Sequence, residues 1–299
     1  MTTSHFALVM LMAMGGKMGS NEIRAAEPKN ELVWPGRAPG TTDNSPAGKP
    51  EITFHLPPAG KFNGSAVVIC PGGGYGGLMM SYEGHDIARW LNGHGVAGIV
   101  LKYRVRPFRH PAPLLDGQRA IRIVRSRAKQ LGINPSRIGM MGFSAGGHLA
   151  ATVGTHFDSG DPRAKDPIDQ VSCRPDFLLL IYPVISMGPK GHGGSAANLL
   201  GRSPSKELIE LLSNEKQVTT ETPPTFLAHS KLDRAVSSEN SALFAAACKS
   251  ENVPVEYFEL EKGAHGLGCG KGAEWKAWQQ RCVAWLKAQG LLKRADARK

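Results

Sequence analysis

Short, continuously apolar segments alternate along this chain with longer segments of helical periodicity. The apolar segments are AVVIC (66–70), VAGIVLKY (96–103), RIGMM (137–141), FLLLIY (177–182), TFLAH (225–229) and VEYFEL (255–260). A strand that is apolar on both faces requires cover on both sides of its sheet, and parallel strands require long connections, usually helices. We therefore predict an α/β fold with a mostly parallel central sheet and helices on both faces.

The segments between these strands support that prediction. In PLLDGQRAIRIVRSRAKQLG, Ala120, Ile121 and Val124 recur at helical spacing, with Arg and Lys on the opposite face. Two further strand-like pieces, ELVW and EITFHL, lie in the Pro- and Gly-rich region that precedes residue 66. A chain of 299 residues with 41% hydrophobic and 20% charged residues suits one large domain, predicted over 27–299. Residues 185–224 follow neither period and are predicted to form an insert at the cleft.

The N-terminal residues 1–26 are predicted to be a signal peptide. Their apolar core, Phe6–Met14, is too short to span a bilayer, so no stable membrane insertion is expected. The expected location is secreted or periplasmic. The alternative is a disordered or wrongly assigned start on a cytoplasmic protein.

Charge and cysteine content bear on the classes of ligand. The formal charge is +11, but Lys and Arg are dispersed and not interleaved with aromatic residues, so nucleic acid is not an expected partner. The five cysteines show no CxxC spacing and the ten histidines no ligand spacing, so neither a metal nor another cofactor is predicted. In an exported chain Cys269 could pair with Cys282.

The stretch GMMGFSAGGHLA places Ser144 on a very short turn between a predicted strand and a predicted helix. Such a turn strains the backbone of its central residue and requires neighbours with little or no side chain, which Gly142 and Gly146 supply. The helix that follows directs its N-terminal amides toward negative charge developing at the serine. Ser144 is therefore predicted to be a nucleophile.

A serine nucleophile needs a base and an acid that orients the base. In a hydrolase sheet the chain order is nucleophile, acid, histidine. Asp233 follows the strand TFLAH, and His265 follows the strand VEYFEL in a loop of small residues. Both therefore lie at the sheet edge predicted for Ser144.

Other acidic residues and histidines fit these roles less well. Asp176 precedes its strand, and Glu239 lies in a helix, where an N-terminal acid serves the helix dipole. His148 is expected to be a buried packing residue, and His229 to hydrogen-bond within the acid loop. His192, in the insert, is a weaker candidate for contact with substrate.

The segment CPGGGYGG (70–77) offers glycine amides that can approach a ligand closely. The amides of Gly73 and Gly74, with that of Ala145, are predicted to form an oxyanion hole. A phosphate-binding loop is the alternative for so many glycines, but neither the P-loop pattern nor GxGxxG with a suitably spaced acid is present.

Together, PGGGY, GFSAGGH, the HSxxD loop and the GAHG loop resemble the α/β-hydrolase superfamily. Within it the chain is similar to small bacterial esterases of the acetylxylan-esterase-like, carbohydrate esterase/lipase type, over about Ala66 to Trp285. The resemblance implies Ser144, Asp233 and His265 as the triad. It also makes His192 and Ser195 candidate substrate contacts, and Tyr75 in the glycine-rich segment is a further candidate.

The function expected from the motifs and the resemblance is serine carboxylesterase activity on short acyl esters, such as acetyl groups on xylan. The expected partner is therefore a small-molecule or polysaccharide ester, with the oligomeric state left open. A prolyl-oligopeptidase-like peptidase shares the core, although such enzymes typically add a large gating domain. A catalytically silent carbohydrate-binding protein on the same fold is the alternative from another class.

Overall fold

The computed structural model describes residues 28–42, 45–58 and 60–293, and within them eight strands and eight α-helices. The strands are β1 (Lys29–Leu32), β2 (Glu51–His55), β3 (Ala66–Cys70), β4 (Ala97–Lys102), β5 (Ile138–Phe143), β6 (Leu178–Ile181), β7 (Thr225–Ser230) and β8 (Val255–Leu260). The α-helices are α1 (Asp86–Gly93), α2 (Ala112–Ser126), α3 (Ala128–Leu131), α4 (Ala145–Thr155), α5 (Gly193–Leu200), α6 (Lys206–Leu211), α7 (Glu239–Ser250) and α8 (Gly272–Ala288).

All eight strands form one sheet, in the order β1-β2-β4-β3-β5-β6-β7-β8. The six strands from β3 to β8 are parallel, whereas β2 pairs antiparallel with β1 and with β4. The predicted fold class is confirmed, because the sheet is mostly parallel and carries helices on both faces. The carboxyl ends of β5, β7 and β8 open at the same edge, where the loops that follow them meet.

The core has one layer on each side of the sheet. On one side α2, α4 and α7 pack through residues such as Val124, Leu149 and Phe244. On the other side α1 and α8 contribute Leu91 and the fully buried Trp278. The central strands β3 and β5 are completely buried, which explains why their sequences lack polar alternation.

A buried ion pair ties the N-terminal segment to the core. The Arg104 guanidinium donates through Nε and Nη2 to the Asp116 carboxylate, at 2.8 and 2.7 Å, and both side chains are fully buried. Trp34 Nε1 donates to the same carboxylate at 2.8 Å, and Arg104 Nη1 donates to the Pro39 carbonyl. A buried charge is tolerated only with such partners, so the segment before β2 is part of the folded unit.

Several expectations concern regions away from the sheet. The 185–224 region forms two short helices, α5 and α6, between β6 and β7. Cys269 and Cys282 are both free thiols, Cys269 exposed and Cys282 buried, so the considered pairing does not occur. The predicted signal peptide lies outside the described residues. Among the described helices, none combines the length and apolarity needed to cross a bilayer.

We predict that Asp116→Ala destabilises the protein by about 3–5 kcal/mol, because it leaves the Arg104 charge buried without its partner. Urea unfolding would measure the change. Asp86→Ala is the matched control, since it breaks an ion pair with Arg89 whose side chains are 53% and 62% exposed. The control should lose at most about 1 kcal/mol. Equal losses for the two variants would contradict the role of the buried pair.

Candidate active site

Ser144 occupies the turn between β5 and α4 with a strained backbone. Its φ and ψ angles are 52° and −119°, in a region that residues with a side chain rarely adopt. The serine is the residue immediately before α4, so the first amides of that helix lie beside its hydroxyl. The structure therefore places Ser144 on the strand-turn-helix that the sequence predicts.

Two glycines make this turn sterically possible. A Cβ at Gly142 would lie 2.1 Å from the carbonyl oxygen of Gly146. A Cβ at Gly146 would lie 2.1 Å from the Cys70 carbonyl oxygen and 2.5 Å from that of Pro71. Neither position admits a side chain, so the start of α4 packs directly on the end of β3.

The structure brings Ser144, His265 and Asp233 into one hydrogen-bonded chain. His265 Nε2 lies 2.9 Å from Ser144 Oγ, and His265 Nδ1 lies 2.7 Å from Asp233 Oδ2. Because an ionised carboxylate only accepts hydrogen bonds, the proton of the neutral ring sits on Nδ1. Nε2 is then free to accept the serine proton.

Asp233 is held ionised by its surroundings. Burial raises the pKa of this carboxyl, but hydrogen bonds from His229, His265 and the Val236 amide outweigh that effect. The pKa therefore lies well below the ordinary value of an aspartate. Oδ1 accepts the amides of Ala235 and Val236, both at 2.9 Å. The acid is thus rigidly placed to orient His265.

His229 supports the same carboxylate. Its Nε2 lies 3.0 Å from the Val236 carbonyl and 3.3 Å from Asp233 Oδ2, and its Nδ1 lies 2.8 Å from Ser241 Oγ. The prediction that His229 hydrogen-bonds within the acid loop is confirmed.

The other rival residues also lie as predicted. His148 is fully buried. Asp176 accepts the Ile138 amide at the start of β5, which is the opposite edge of the sheet. Glu239 is the first residue of α7 and pairs with Lys190.

Gly73 and Gly74 line the cavity that contains Ser144. Their φ angles, 134° and 63°, lie in the region that favours glycine. Within the described residues, neither amide donates to a protein acceptor. Ala145 is the first residue of α4, where a helix amide has no partner inside the helix. These three N–H groups are therefore available for an oxyanion.

Of the three residues predicted to contact substrate, His192 lines the cavity, whereas Tyr75 and Ser195 do not. Ser195 is fully buried, and its amide and hydroxyl both contact His192 Nδ1, at 3.1 and 2.8 Å. Tyr75 is 1% exposed, and its hydroxyl lies 2.8 Å from His148 Nδ1. The prediction that Tyr75 and Ser195 contact substrate is wrong, because both hydroxyls face the protein interior.

Glu83 is a residue of the site that sequence reasoning missed. It is 3% exposed and lines the same cavity as Ser144. Glu83 Oε2 accepts the Gly72 amide at 2.7 Å, and Oε1 accepts the Tyr182 hydroxyl at 2.9 Å. The Tyr182 ring packs edge-on against His265, with centroids 5.1 Å apart. Glu83 thus connects the glycine loop to the base.

The charge state of Glu83 reflects opposing effects. Burial raises its pKa above the ordinary glutamate value, and the Gly72 amide, the Tyr182 hydroxyl and the nearby His265 oppose that rise. In the sequence Glu83 follows the glycine-rich loop and precedes α1, a place where an acid ordinarily serves the helix dipole. Because an acid at this place is expected to serve the helix dipole, the sequence does not indicate that Glu83 contacts Gly72.

The cavity at Ser144 has a volume of about 370 Å³. Met79, Tyr82, Ala235 and Val236 also line it. No group of three or more His, Cys, Asp or Glu side chains in the described part of the chain is arranged to hold a metal ion. The chemistry that this arrangement supports is nucleophilic attack by a serine with general-base assistance and oxyanion stabilisation.

Comparison with known proteins identifies the family. The family model described as BD-FAE matches residues 52–248, which is more than half of the chain. The chain belongs to the BD-FAE family. That region contains Ser144, Asp233 and the glycine loop, while His265 lies beyond its end. The resemblance predicted from the motifs, to α/β-hydrolases of the carbohydrate-esterase type, is confirmed.

The chain is similar to several proteins of known name. A solved structure, an acetyl ester-xyloside bifunctional hydrolase from Caldicellulosiruptor lactoaceticus, is 43% identical with a TM-score of 0.84, covering 88% of this chain and 97% of that one. An acetylxylan esterase from Xylanibacter ruminicola is 35% identical over 83% of this chain. An endo-1,4-beta-xylanase B from Butyrivibrio fibrisolvens is 35% identical over 71%. The matches span only 50% and 34% of these last two proteins.

We predict that Glu83→Ala lowers kcat about 10- to 100-fold on p-nitrophenyl acetate. The glycine loop loses an anchor, which should cost less than the 10²- to 10³-fold loss expected for removing an oxyanion donor outright. Glu83→Gln keeps an acceptor for the Gly72 amide and should retain more activity than Glu83→Ala.

The matched control is Glu261→Gln, a side chain that is 76% exposed. Thermal unfolding of each variant, measured beside kcat, separates loss of fold from loss of positioning. A folded Glu83→Ala protein with unchanged kcat would contradict the role assigned to Glu83.

Proposed function

We propose that this protein is a serine carboxylesterase that removes short acyl groups, above all acetyl, from carbohydrate. The single observation that carries the proposal is the hydrogen-bonded chain from Ser144 through His265 to Asp233, beside glycine amides that have no acceptor among the described residues. The acetylxylan esterase and the acetyl ester-xyloside hydrolase among the relatives support acetylated carbohydrate as the substrate class.

The first half of the reaction follows from the geometry. Ser144 Oγ attacks the ester carbonyl carbon while His265 Nε2 takes the hydroxyl proton. The carbonyl oxygen becomes an oxyanion and accepts hydrogen bonds from the amides of Gly73, Gly74 and Ala145. Collapse of the tetrahedral intermediate breaks the bond to the alcohol, and His265 returns the proton to the departing oxygen. The product is an acyl-enzyme at Ser144.

The second half repeats these roles with water. His265 takes a proton from a water molecule, which attacks the acyl carbonyl carbon, and the same amides hold the oxyanion. Collapse of this second tetrahedral intermediate breaks the bond between the acyl carbon and Ser144 Oγ, and His265 returns the proton to that oxygen. The carboxylic acid leaves, and the Ser144 hydroxyl is restored. Asp233 stays ionised throughout and stabilises the imidazolium that forms in each half-reaction.

His192 supplies a hydrogen-bond donor for the carbohydrate in this proposal. The Ser195 backbone amide can only donate, so His192 Nδ1 must accept it, and the proton of the neutral ring lies on Nε2. Burial and the nearby His265 lower the pKa of His192, while Asp233 opposes them, so the ring is neutral at pH 7. The ring therefore offers an Nε2 donor in the cavity, suited to a sugar hydroxyl.

The test of the proposed function is acetate release from acetylated xylan and from p-nitrophenyl acetate. Ser144→Ala should abolish both activities, and Asp233→Asn should lower kcat about 10⁴-fold because the His265 tautomer is no longer held. Ser250→Ala, in an exposed serine at the end of α7, is the matched control. A fluorophosphonate probe should label the wild type but not Ser144→Ala.

Two results would overturn the proposal. Cleavage of a proline-peptide amide in preference to the acetyl esters would indicate a peptidase. A folded protein that neither hydrolyses these esters nor takes the probe would indicate a silent binding protein.

We predict that His192→Ala lowers kcat/KM for an acetylated xylooligosaccharide about tenfold, the effect of losing one hydrogen bond of about 1.4 kcal/mol. His192→Gln, which can present an N–H from a side chain of similar reach, should recover part of the loss. His94→Ala is the control, because His94 follows α1 and packs edge-on against Trp90, away from the cavity. Equal kcat/KM for His192→Ala and wild type would rule out this contact.

A further inference from the structure

A second depression adjoins the catalytic cavity. Its volume is about 530 Å³. It is lined by Leu232, Arg234, Ala235, Gly263, Ala264 and His265. We call this depression the Arg234 groove; it shares Ala235 and His265 with the catalytic cavity.

The position of the groove indicates which part of an ester it would receive. The glycines of the oxyanion hole line the cavity and not the groove. His265 must deliver a proton to the departing alcohol oxygen, so the alcohol part of the substrate has to lie against that imidazole. The Arg234 groove is the space beside His265 that leads away from the oxyanion hole. The alcohol part therefore extends into it.

The groove carries a positive charge without a protein partner. Within the described residues, Arg234 is exposed and forms no ion pair or hydrogen bond through its side chain. The neighbouring Lys231 differs, because it pairs with both Glu259 and Glu261. Lys262, next to Gly263 of the groove, is likewise exposed and without an ion pair in the described chain. Arg234 is thus the groove-lining cation left for a ligand.

The rest of the surface suits a sugar chain. Leu232 is 58% exposed and gives the groove an apolar surface. The C–H face of a sugar ring can pack on such a side chain while its hydroxyls remain in water. Arg234, two residues along, presents a planar guanidinium that can bind a carboxylate through two parallel hydrogen bonds.

We propose that the Arg234 groove binds the alcohol part of the ester and that Arg234 pairs with a carboxylate on it. The favoured substrates are then acyl esters of glycans that carry uronic acid residues. This inference rests on the proposed esterase function, since it says where the leaving alcohol of that same reaction binds.

The experiment compares two acetylated xylooligosaccharides of equal length, one carrying a glucuronic acid branch and one without it. The measured quantity is the ratio of kcat/KM for the acidic substrate to that for the neutral one. The wild type should prefer the acidic substrate about three- to tenfold at low salt. Arg234→Ala should bring the ratio to about one, and Arg234→Glu should invert it.

Two variants and a change of salt distinguish a specific ion pair between Arg234 and the substrate carboxylate from a general attraction of the acidic substrate to positive charge. Lys231→Ala removes a neighbouring cation that is already paired, and should leave the ratio at the wild-type value. Arg234→Lys keeps the charge but not the paired hydrogen bonds, and should retain part of the preference. Raising the salt concentration to about 1 M should weaken the wild-type preference, because exposed charges are then screened within about 3 Å.

The outcomes distinguish this inference from the function on which it rests. Hydrolysis of both substrates with the same ratio in wild type and Arg234→Ala would overturn the inference and leave the esterase proposal intact. An equal loss on both substrates in Arg234→Ala would also overturn it, because Arg234 would then support the acid loop. Absence of hydrolysis of either substrate by the wild type would overturn the proposed function itself.

Discussion

The direct contact between the backbones of α4 and β3 is the constraint on which the site depends. Gly146 lies against the carbonyls of Cys70 and Pro71, at distances that exclude a Cβ. This contact brings the start of α4 beside the loop that leaves β3, so that the Ser144 hydroxyl and the amides of Gly73 and Gly74 face one cavity. A bulkier residue at 146 would separate the nucleophile from the oxyanion hole before it disturbed any side chain of the triad.

The residues of the triad could be predicted from the sequence because each follows a strand of one parallel sheet. The carboxyl ends of such strands share an edge, so Ser144, Asp233 and His265 meet although they are distant in the chain. Residues that precede the strands, such as Asp176, were excluded by the same rule. The central strands β3, β5 and β6 were predictable because each is a continuous apolar segment between turn residues, whereas the edge strand β8 carries Glu256 and Glu259 within its apolar pattern.

The residues that support the triad could not be predicted in this way. Glu83 belongs to a short π-helical segment, Ser81–His85, that leads into α1, and nothing in its spacing indicates that its carboxylate reaches back to Gly72. Tyr182 ends an apolar segment and resembles any core aromatic residue. The direction in which a side chain points is equally hidden in the sequence, both for Tyr75 in the glycine loop and for Ser195 at the start of α5. Their hydroxyls contact His148 and His192, and of these two histidines only His192 lines the cavity.

The segment that precedes β2 is fixed to the core by the buried pair of Arg104 and Asp116, so the folded unit begins before β2. The family match starts at residue 52, yet Trp34 and Pro39 supply hydrogen bonds to the Arg104 and Asp116 pair, which is buried beneath them. A protein trimmed to the matched region would expose this pair to water and uncover the flank of α2. The smallest fragment that folds on its own therefore has to retain the segment that precedes β2.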